Sequence, residues 1–276
     1  MPSDASRTIV FEWNPDDFGV LLAACDRDDG VQLSLQHLPK KGKILEAGSG
    51  TGRVVRYFHD KGYDIEGVEL NEQIVAQIKV TQPDLRIFVG DVAKLPCPDG
   101  YYAGLVSYGT IEHFIAGVEA PLNEHYRVLA PGGMAIITVP SYNGLRRLKY
   151  FCDVCFRPLD PRQNNLLRRL TGRSPIRRNV QGHDGFRFHV YPQFGAFFEY
   201  RLRPREFEAA VRVAGFKILH SIPITHLDGL YHDIGPPLIA FRDWKFYPTR
   251  LATWLDRLFR SISFFHNHMH AIVATK

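Results

Sequence analysis

Short apolar runs alternate with longer amphipathic stretches through the middle of the chain. Each apolar run ends at small or polar residues, and the stretches between the runs repeat their apolar positions at helical spacing. Strands and helices that alternate in this way are typical of βαβ units around a parallel sheet. We predict strands over residues 43–47, 65–69, 87–89, 103–108 and 134–139, with helices over residues 53–60, 71–80 and 118–129.

The alternation stops after the fifth predicted strand. Residues 141–200 are rich in arginine and aromatic side chains and show no regular alternation. A helix that begins near Pro204 and ends at Gly215 then restores the earlier pattern. Two more predicted strands, over residues 216–224 and 270–275, are separated by a second irregular segment. The sequence therefore predicts an α/β fold with a seven-stranded sheet and two insertions.

The composition is that of an ordinary folded protein. Of the 276 residues, 45% are hydrophobic and 23% are charged, which provides for a core and lacks the charge excess of a disordered chain. The opening MPSDASRTIV has no apolar core of signal-peptide length, and no window approaches the roughly 20 apolar residues of a membrane span. We therefore expect a cytoplasmic protein.

Positive charge is concentrated in one segment of the chain. The net charge is +5, from 34 Lys+Arg and 29 Asp+Glu. Residues 141–203 hold 13 basic and 4 acidic side chains, or +9, so the remainder carries −4. This asymmetry predicts either an acidic partner, such as phosphate, anionic lipid or nucleic acid, or a solvated face that has no partner.

A glycine-rich turn follows the first predicted strand. Glu46 precedes Gly48, Gly50 and Gly52, and the next helix begins at Arg53. Glycine lets the backbone turn sharply and approach a ligand closely, and the helix N-terminus offers unpaired N–H groups. The dinucleotide pattern G-x-G-x-x-G would need a glycine where Arg53 stands, which disfavours a nicotinamide-dependent oxidoreductase.

Acidic residues follow the second and third predicted strands. Glu69 ends the second strand about 20 residues after the glycine turn, where a carboxylate can accept hydrogen bonds from both hydroxyls of a ribose. Asp91 and Val92 follow the third strand, and SYGTIEHF spans the end of the fourth. Each acid alone has an ordinary alternative as a strand-end carboxylate. Together with the turn, they favour a cofactor site.

These motifs, with EHYRVLAPGGMAIITVP at the fifth strand, resemble the class I S-adenosylmethionine-dependent methyltransferases of the type 11/type 12 branch. The resemblance covers residues 43–140 and returns weakly over 207–224. It implies a Rossmann-like, mostly parallel sheet with helices on both faces, and S-adenosyl-L-methionine as the cofactor. The cofactor-binding residues that it implies are Glu46, Gly48, Ser49, Gly50, Gly52, Arg53, Glu69, Leu70, Asp91, Val92, Tyr108 and Gly109.

The resemblance also suggests how the chain is divided. Residues 1–42 would form an N-terminal helical segment, and residues 43–140 the cofactor-binding core. Residues 141–202 would form a basic cap over the substrate. The core would be completed by residues 203–276, with a helical insertion near 225–265.

Methyl transfer from a sulfonium mainly requires in-line alignment of donor and nucleophile and the exclusion of water. A protonated oxygen or nitrogen acceptor also needs a general base. His113 is the first candidate, because the resemblance places it at the carboxyl end of a parallel strand. Tyr142, after the fifth strand, and His189, in the basic segment, are further catalytic candidates. The alternatives are packing of His113 on the cofactor and a half-buried strand around His189.

The sequence thus predicts a methyltransferase for a small-molecule or glycan-type acceptor, with oxygen as the expected methylated atom. An anionic or sugar-containing acceptor would suit the basic segment. A lipid, RNA or protein acceptor, or cofactor binding without catalysis, are the alternatives. Nucleic acid is disfavoured because the chain has no recognised nucleic-acid module, whereas peripheral membrane contact stays open.

Three other patterns bear on metals and membranes. Cys152 and Cys155 have C-x-x-C spacing without a second pair, which favours unpaired thiols. His266, His268 and His270 alternate, but one strand face gives poor tetrahedral geometry, so we expect no metal site.

An apolar stripe flanked by arginines is predicted to pack on the core, with an interfacial helix as the alternative. The stripe consists of Leu251, Trp254, Leu255, Leu258, Phe259 and Ile262.

Overall fold

The computed structural model describes residues 17–156, 188–191, 196–235, 238–242 and 245–276. Helices and strands alternate along the described chain. The helices are α1 (Phe18–Ala24), α2 (Asp29–His37), α3 (Arg53–Asp60), α4 (Glu72–Thr81), α5 (Glu119–Val128), α6 (Gly144–Phe156), α7 (Pro204–Val213), α8 (His226–Ile234) and α9 (Arg250–Arg260). The strands are β1 (Ile44–Ala47), β2 (Ile65–Glu69), β3 (Ile87–Val89), β4 (Tyr102–Tyr108), β5 (Leu129–Pro140), β6 (Phe188–Tyr191), β7 (Ala196–Tyr200), β8 (Lys217–Ile224), β9 (Ile239–Arg242), β10 (Lys245–Pro248) and β11 (Met269–Thr275).

Seven of these strands form one sheet in the order β3-β2-β1-β4-β5-β11-β8. Strands β1 to β5 pair in parallel, and β11 is antiparallel to both β5 and β8. The predicted α/β class and the seven-stranded, mostly parallel sheet are confirmed. Because parallel strands end at the same edge, the sequence motifs after β1, β2, β3 and β4 meet at the carboxyl edge of the sheet.

Apolar side chains cover the sheet on both faces. Successive side chains of β1 point to opposite faces of the sheet, so Ile44 belongs to one core cluster and Leu45 to the other. The first cluster contains residues of α2, α3 and α4, and the second contains residues of α5 and α7. Burial on both sides explains why the strands read as continuous apolar runs.

Two smaller antiparallel pairs lie outside the main sheet. Strands β6 and β7 form one pair and β9 and β10 the other. The segment between β8 and β11 contains α8, the β9–β10 pair and α9, and these elements share a small core around Leu230, Ile239 and Ala252.

Helix α9 turns most of its apolar stripe outward. Leu251, Trp254, Leu258 and Ile262 are 53%, 59%, 48% and 52% exposed. The predicted packing of the stripe on the core is therefore wrong for these four residues, because Ala252 is the position that faces the small core. Among the described residues, no helix has the length and apolar character needed to cross a membrane.

Candidate active site

The glycine turn after β1 adopts a conformation that suits glycine. Gly48, Gly50 and Gly52 have φ values of +84°, +51° and +76°, in the left-handed region. A Cβ atom on Gly48 would collide with Oγ1 of Thr110, whose hydroxyl donates to the Ala47 carbonyl oxygen at 3.2 Å. The turn is therefore packed closely against the segment that follows β4.

Glu69 is fixed beside this turn at the end of β2. The Gly50 N–H donates to its Oε2 at 2.8 Å, and the Asn71 N–H donates to its Oε1 at 2.9 Å. The Asn71 side chain in turn accepts from the backbone N–H groups of the second and third residues of α4. Two backbone donors thus hold the carboxylate in one orientation at the carboxyl edge of the sheet. Sequence analysis missed Asn71, although its helix-capping position directly after Glu69 was a visible signal.

Glu46 is the second acid at the turn, and it is only 4% exposed. Its Oε2 accepts from the Val55 N–H at 3.1 Å, within the first turn of α3. Burial raises the pKa of Glu46 to about 8, although the nearby Arg53 guanidinium acts in the opposite direction. A buried carboxyl group with this pKa would ionise when a cation binds next to it, because the positive charge lowers its pKa.

Arg53 connects the glycine turn to the N-terminal helices. Its Nη2 donates to Oδ2 of Asp28 at 2.9 Å, and its Nη1 lies 3.3 Å from the Cys25 sulfur. From the far side, Tyr108 at the end of β4 places its hydroxyl 2.5 Å from that of Ser34 on α2. The segment between α1 and α2, and α2 itself, are therefore joined to the site.

The segment after β3 provides one exposed acid and an apolar floor. Asp91 is exposed, and its Oδ1 accepts from the Ala93 N–H at 2.8 Å, which fixes a tight turn. Val92 and Leu95 are buried, at 6% and 4% exposure. Leu70, after β2, is partly exposed at the same edge.

Comparison with known proteins agrees with this geometry. The family model described as "Methyltransferase domain" matches residues 45–137. The demethylmenaquinone methyltransferase of Beutenbergia cavernae is 31% identical over 96 residues, which are 34% of this chain and 39% of that protein. The malonyl-[acyl-carrier protein] O-methyltransferase of Enterobacter lignolyticus is 26% identical over 39% of this chain and 42% of that protein. The match thus spans less than half of each relative.

A solved structure extends the likeness to nearly the whole fold. The S-adenosylmethionine-dependent methyltransferase of Mesorhizobium loti superposes with a TM-score of 0.56 at 16% identity, over 91% of this chain and 100% of that chain. Residues 45–137 are therefore similar to methyltransferase domains, and the fold of nearly the whole chain is shared with this solved methyltransferase.

The three predicted catalytic residues have different environments. His113 ends a 3-10 turn after β4, and its side chain is 12% exposed. Tyr142 is 2% exposed, and the Arg203 guanidinium lies 5.6 Å from the centre of its ring. His189 pairs through its backbone with Glu199, while its side chain lies outside the described part of the chain. All three catalytic roles stay predictions.

A buried carboxyl group beside His113 was missed at the sequence level. Glu112 is 1% exposed, and its Oε1 lies 3.9 Å from Nε2 of His113. Burial raises its pKa well above the ordinary range, and the nearby Glu199 carboxylate adds to the rise. Strand β7, which carries Glu199, packs against this turn, and the Tyr200 hydroxyl donates to the Ile115 carbonyl oxygen at 2.9 Å. Only the fold brings these distant residues together.

Arg146 is fully buried at the start of α6. Its Nε donates to Oδ1 of Asp233 at 2.9 Å, its Nη1 to the Ser141 carbonyl oxygen at 2.6 Å, and its Nη2 to Nδ1 of His268 at 2.8 Å. The Asn143 amide donates to the second oxygen of Asp233 at 3.0 Å. This network connects the end of β5 with α8 and with the residue before β11.

The same network bears on metal binding. Asp228, His232 and His268 place nitrogen or oxygen atoms within 4.8 Å of one another, as a cation site would require. Burial lowers the pKa of His268 to about 4, so its ring is neutral. Because Arg146 donates to Nδ1, the ring proton lies on Nε2, which leaves no lone pair for a cation. The geometry therefore favours a hydrogen-bonded cluster.

Proposed function

We propose that this chain binds S-adenosyl-L-methionine across the carboxyl ends of β1, β2 and β3 and transfers its methyl group to an oxygen of a small-molecule acceptor. The acceptor would lie beside β4 and β5, near His113. One observation carries the donor site: the Glu69 carboxylate is held by two backbone N–H groups directly beside the left-handed glycine turn. Both of its oxygens keep lone pairs for the two ribose hydroxyls.

The other proposed cofactor contacts are of three kinds: acidic residues, apolar residues and the glycine turn. Glu46 would face the methionine ammonium group, and Asp91 the adenine amino group, while Val92 supplies an apolar contact to the ring. Leu70 and Gly109 would line the entrance. The turn itself, with Tyr108 behind it, would complete the site through Gly48, Ser49, Gly50, Gly52 and Arg53.

The bound donor supplies an electrophilic methyl group on a sulfonium, so the protein mainly has to align the acceptor and exclude water. His113, mostly buried beside Glu112, would accept the proton that the acceptor hydroxyl loses. Burial raises the pKa of Glu112 well above its ordinary range, which favours the neutral carboxyl group beside the imidazole. Tyr142 and His189 remain candidates for orienting the acceptor.

The acceptor is proposed as a class of compound. The relatives' names specify a demethylmenaquinone and a malonyl-[acyl-carrier protein], and the second name specifies O-methylation. The basic residues of 141–203 favour an acceptor that carries a phosphate, carboxylate or sugar group. A cytoplasmic location also stays a prediction.

The reaction can be tested with tritiated S-adenosylmethionine and a demethylmenaquinol as acceptor, because its hydroxyl groups, unlike the malonyl carboxylate, carry a proton at neutral pH. We expect His113→Asn to lower kcat by about 100-fold or more without changing donor affinity, and the loss to shrink as pH rises. His59→Asn, an exposed histidine on α3, is the matched control. Donor-dependent product with unchanged kcat in the variant would remove His113 from the mechanism. Failure to bind S-adenosylhomocysteine would overturn the proposed function.

The raised pKa of Glu46 predicts that a proton is released when the donor binds. Its pKa of about 8 leaves the carboxyl group mostly protonated at pH 7, and a bound ammonium group would favour the ionised form. We expect S-adenosylhomocysteine to release a proton on binding at pH 7 and to bind more tightly as pH rises towards 8. Calorimetry in phosphate and Tris measures the release from their different ionisation enthalpies. Glu46→Gln should abolish it, whereas Glu72→Gln, an exposed acid on α4, should not. Equal release by both variants would contradict the assignment.

A further inference from the structure

The outward face of α9 is apolar along its length. Leu251, Trp254 and Leu258 lie at helical spacing on this face, and Ile262 continues it just after the helix. About half of each side chain is exposed, as already described. We call these four residues the α9 stripe. Isolated exposed apolar residues are ordinary, but a continuous stripe of three residues on a helix and one just beyond its end indicates an interaction surface.

The helix is fixed so that the stripe stays outward. The Thr249 hydroxyl caps its first turn by accepting from the Ala252 N–H at 3.1 Å. Ala252 is fully buried, and the Phe259 ring lies 4.7 Å from that of Phe265. Rotation of α9 to hide the stripe would break these contacts.

The charged side chains of α9 indicate what kind of partner this surface would bind. Arg250, Arg257 and Arg260 are exposed on the same helix. Its one acid, Asp256, is turned inward, where Oδ1 lies 2.9 Å from Nε2 of His266 and Oδ2 accepts from Nε of Arg260 at 2.8 Å. The exposed surface of the helix therefore combines apolar side chains with positive charge and presents no carboxylate.

We propose that the α9 stripe and its arginines form a docking surface for an anionic lipid bilayer. A helix of 11 residues is about 16 Å long, too short to span a membrane but sufficient to lie in the interface with its apolar side chains among the acyl chains. Arginines at its border would contact the lipid phosphates, and the Trp254 indole suits the interfacial region. This inference concerns a surface outside the donor site and does not depend on the proposed function.

The test is flotation of the full chain with vesicles of pure phosphatidylcholine or of phosphatidylcholine with one third phosphatidylglycerol. We expect binding to the anionic vesicles, weakened roughly fivefold for each of Arg250→Gln and Arg257→Gln. The double variant Leu251→Glu/Leu258→Glu should abolish binding. Its matched control is Val80→Glu/Val213→Glu, which adds the same charge at two valines, each 82% exposed, on α4 and α7. All four positions are exposed, so both double variants should fold, as thermal unfolding would verify.

Each outcome bears directly on the docking surface. Anionic binding that is lost in the stripe variant and kept in the control supports the proposal. Equal binding to both kinds of vesicle would overturn the role of charge, and equal loss in both double variants would overturn the role of the stripe. Failure of the full chain to float with the anionic vesicles would overturn the proposal. A dimer in sedimentation that the stripe variant converts to monomer would then assign the surface to a second copy of the chain.

Discussion

Replacing Arg146 with methionine is expected to lower the free energy of unfolding by about 3–5 kcal/mol, because it leaves a buried carboxylate without its cation. Asp233 is 9% exposed, and the guanidinium is its charged partner in the network. Methionine retains much of the side-chain volume, so the decrease in unfolding free energy comes mainly from the lost charge and hydrogen bonds, and less from a cavity. Urea denaturation monitored by circular dichroism measures it.

The neighbouring residue offers a close control for this prediction. Arg147 belongs to the same basic cluster of the sequence but is exposed, so Arg147→Met should change stability by about 0.5 kcal/mol or less. Adding Asp233→Leu to Arg146→Met should recover part of the loss, because no unpaired charge remains. Equal effects of Arg146→Met and Arg147→Met would show that the buried network contributes little to stability.

The contrast between Arg146 and Arg147 shows what the sequence alone could not reveal. Both residues contribute to the basic segment, and composition treats them alike. The fold buries one as the centre of a network and leaves the other in solvent, because its partners Asp233 and His268 lie about 90 and 120 residues away along the chain. Part of the +9 charge is therefore structural, which weakens charge counting as evidence for an anionic acceptor.

The elements themselves were largely predictable, because parallel strands buried on both faces leave clear apolar runs. The start of β5 differs from the prediction: residues 118–129 suggested a helix through Leu129, whereas α5 ends at Val128 and Leu129 opens β5. Leu129 pairs with Tyr102, and the register shifts before Gly104 pairs with Met134. This local pairing depends on the partner strand, which sequence periodicity does not describe.

The α9 stripe shows the same limit for helices. Helical spacing identified one apolar face correctly but not its direction, since both a core-facing and an exposed stripe give the same pattern. The inward side contains Ala252 and Asp256, and the latter is buried only because His266 and Arg260 satisfy it. A short side chain and a paired acid give no recognisable signal in sequence. By contrast, the motifs after β1, β2 and β3 were recognisable because cofactor sites at strand ends require particular residue types.

Glu69→Gln is expected to weaken binding of S-adenosylhomocysteine by about 100-fold or more, because each hydrogen bond to a charged acceptor contributes about 1.5–3 kcal/mol. The variant removes the charge and exchanges one acceptor oxygen for a donor amide, which would then oppose the N–H of Gly50 or Asn71. Calorimetry measures the affinity. Glu72→Gln makes the same chemical change at an exposed position three residues later and should bind normally.

A loss of affinity in Glu69→Gln could arise from the ribose contact or from a distorted glycine turn, since Glu69 holds the Gly50 N–H. S-adenosylhomocysteine that lacks the ribose 2′-hydroxyl separates the two causes. If the carboxylate binds the ribose, the deoxy ligand should lose affinity for the wild-type chain but lose little more for the variant, because the two changes remove the same hydrogen bond. Fully additive losses would mean that Glu69 acts only by shaping the turn, and the donor would then be held by other groups at the carboxyl edge of the sheet.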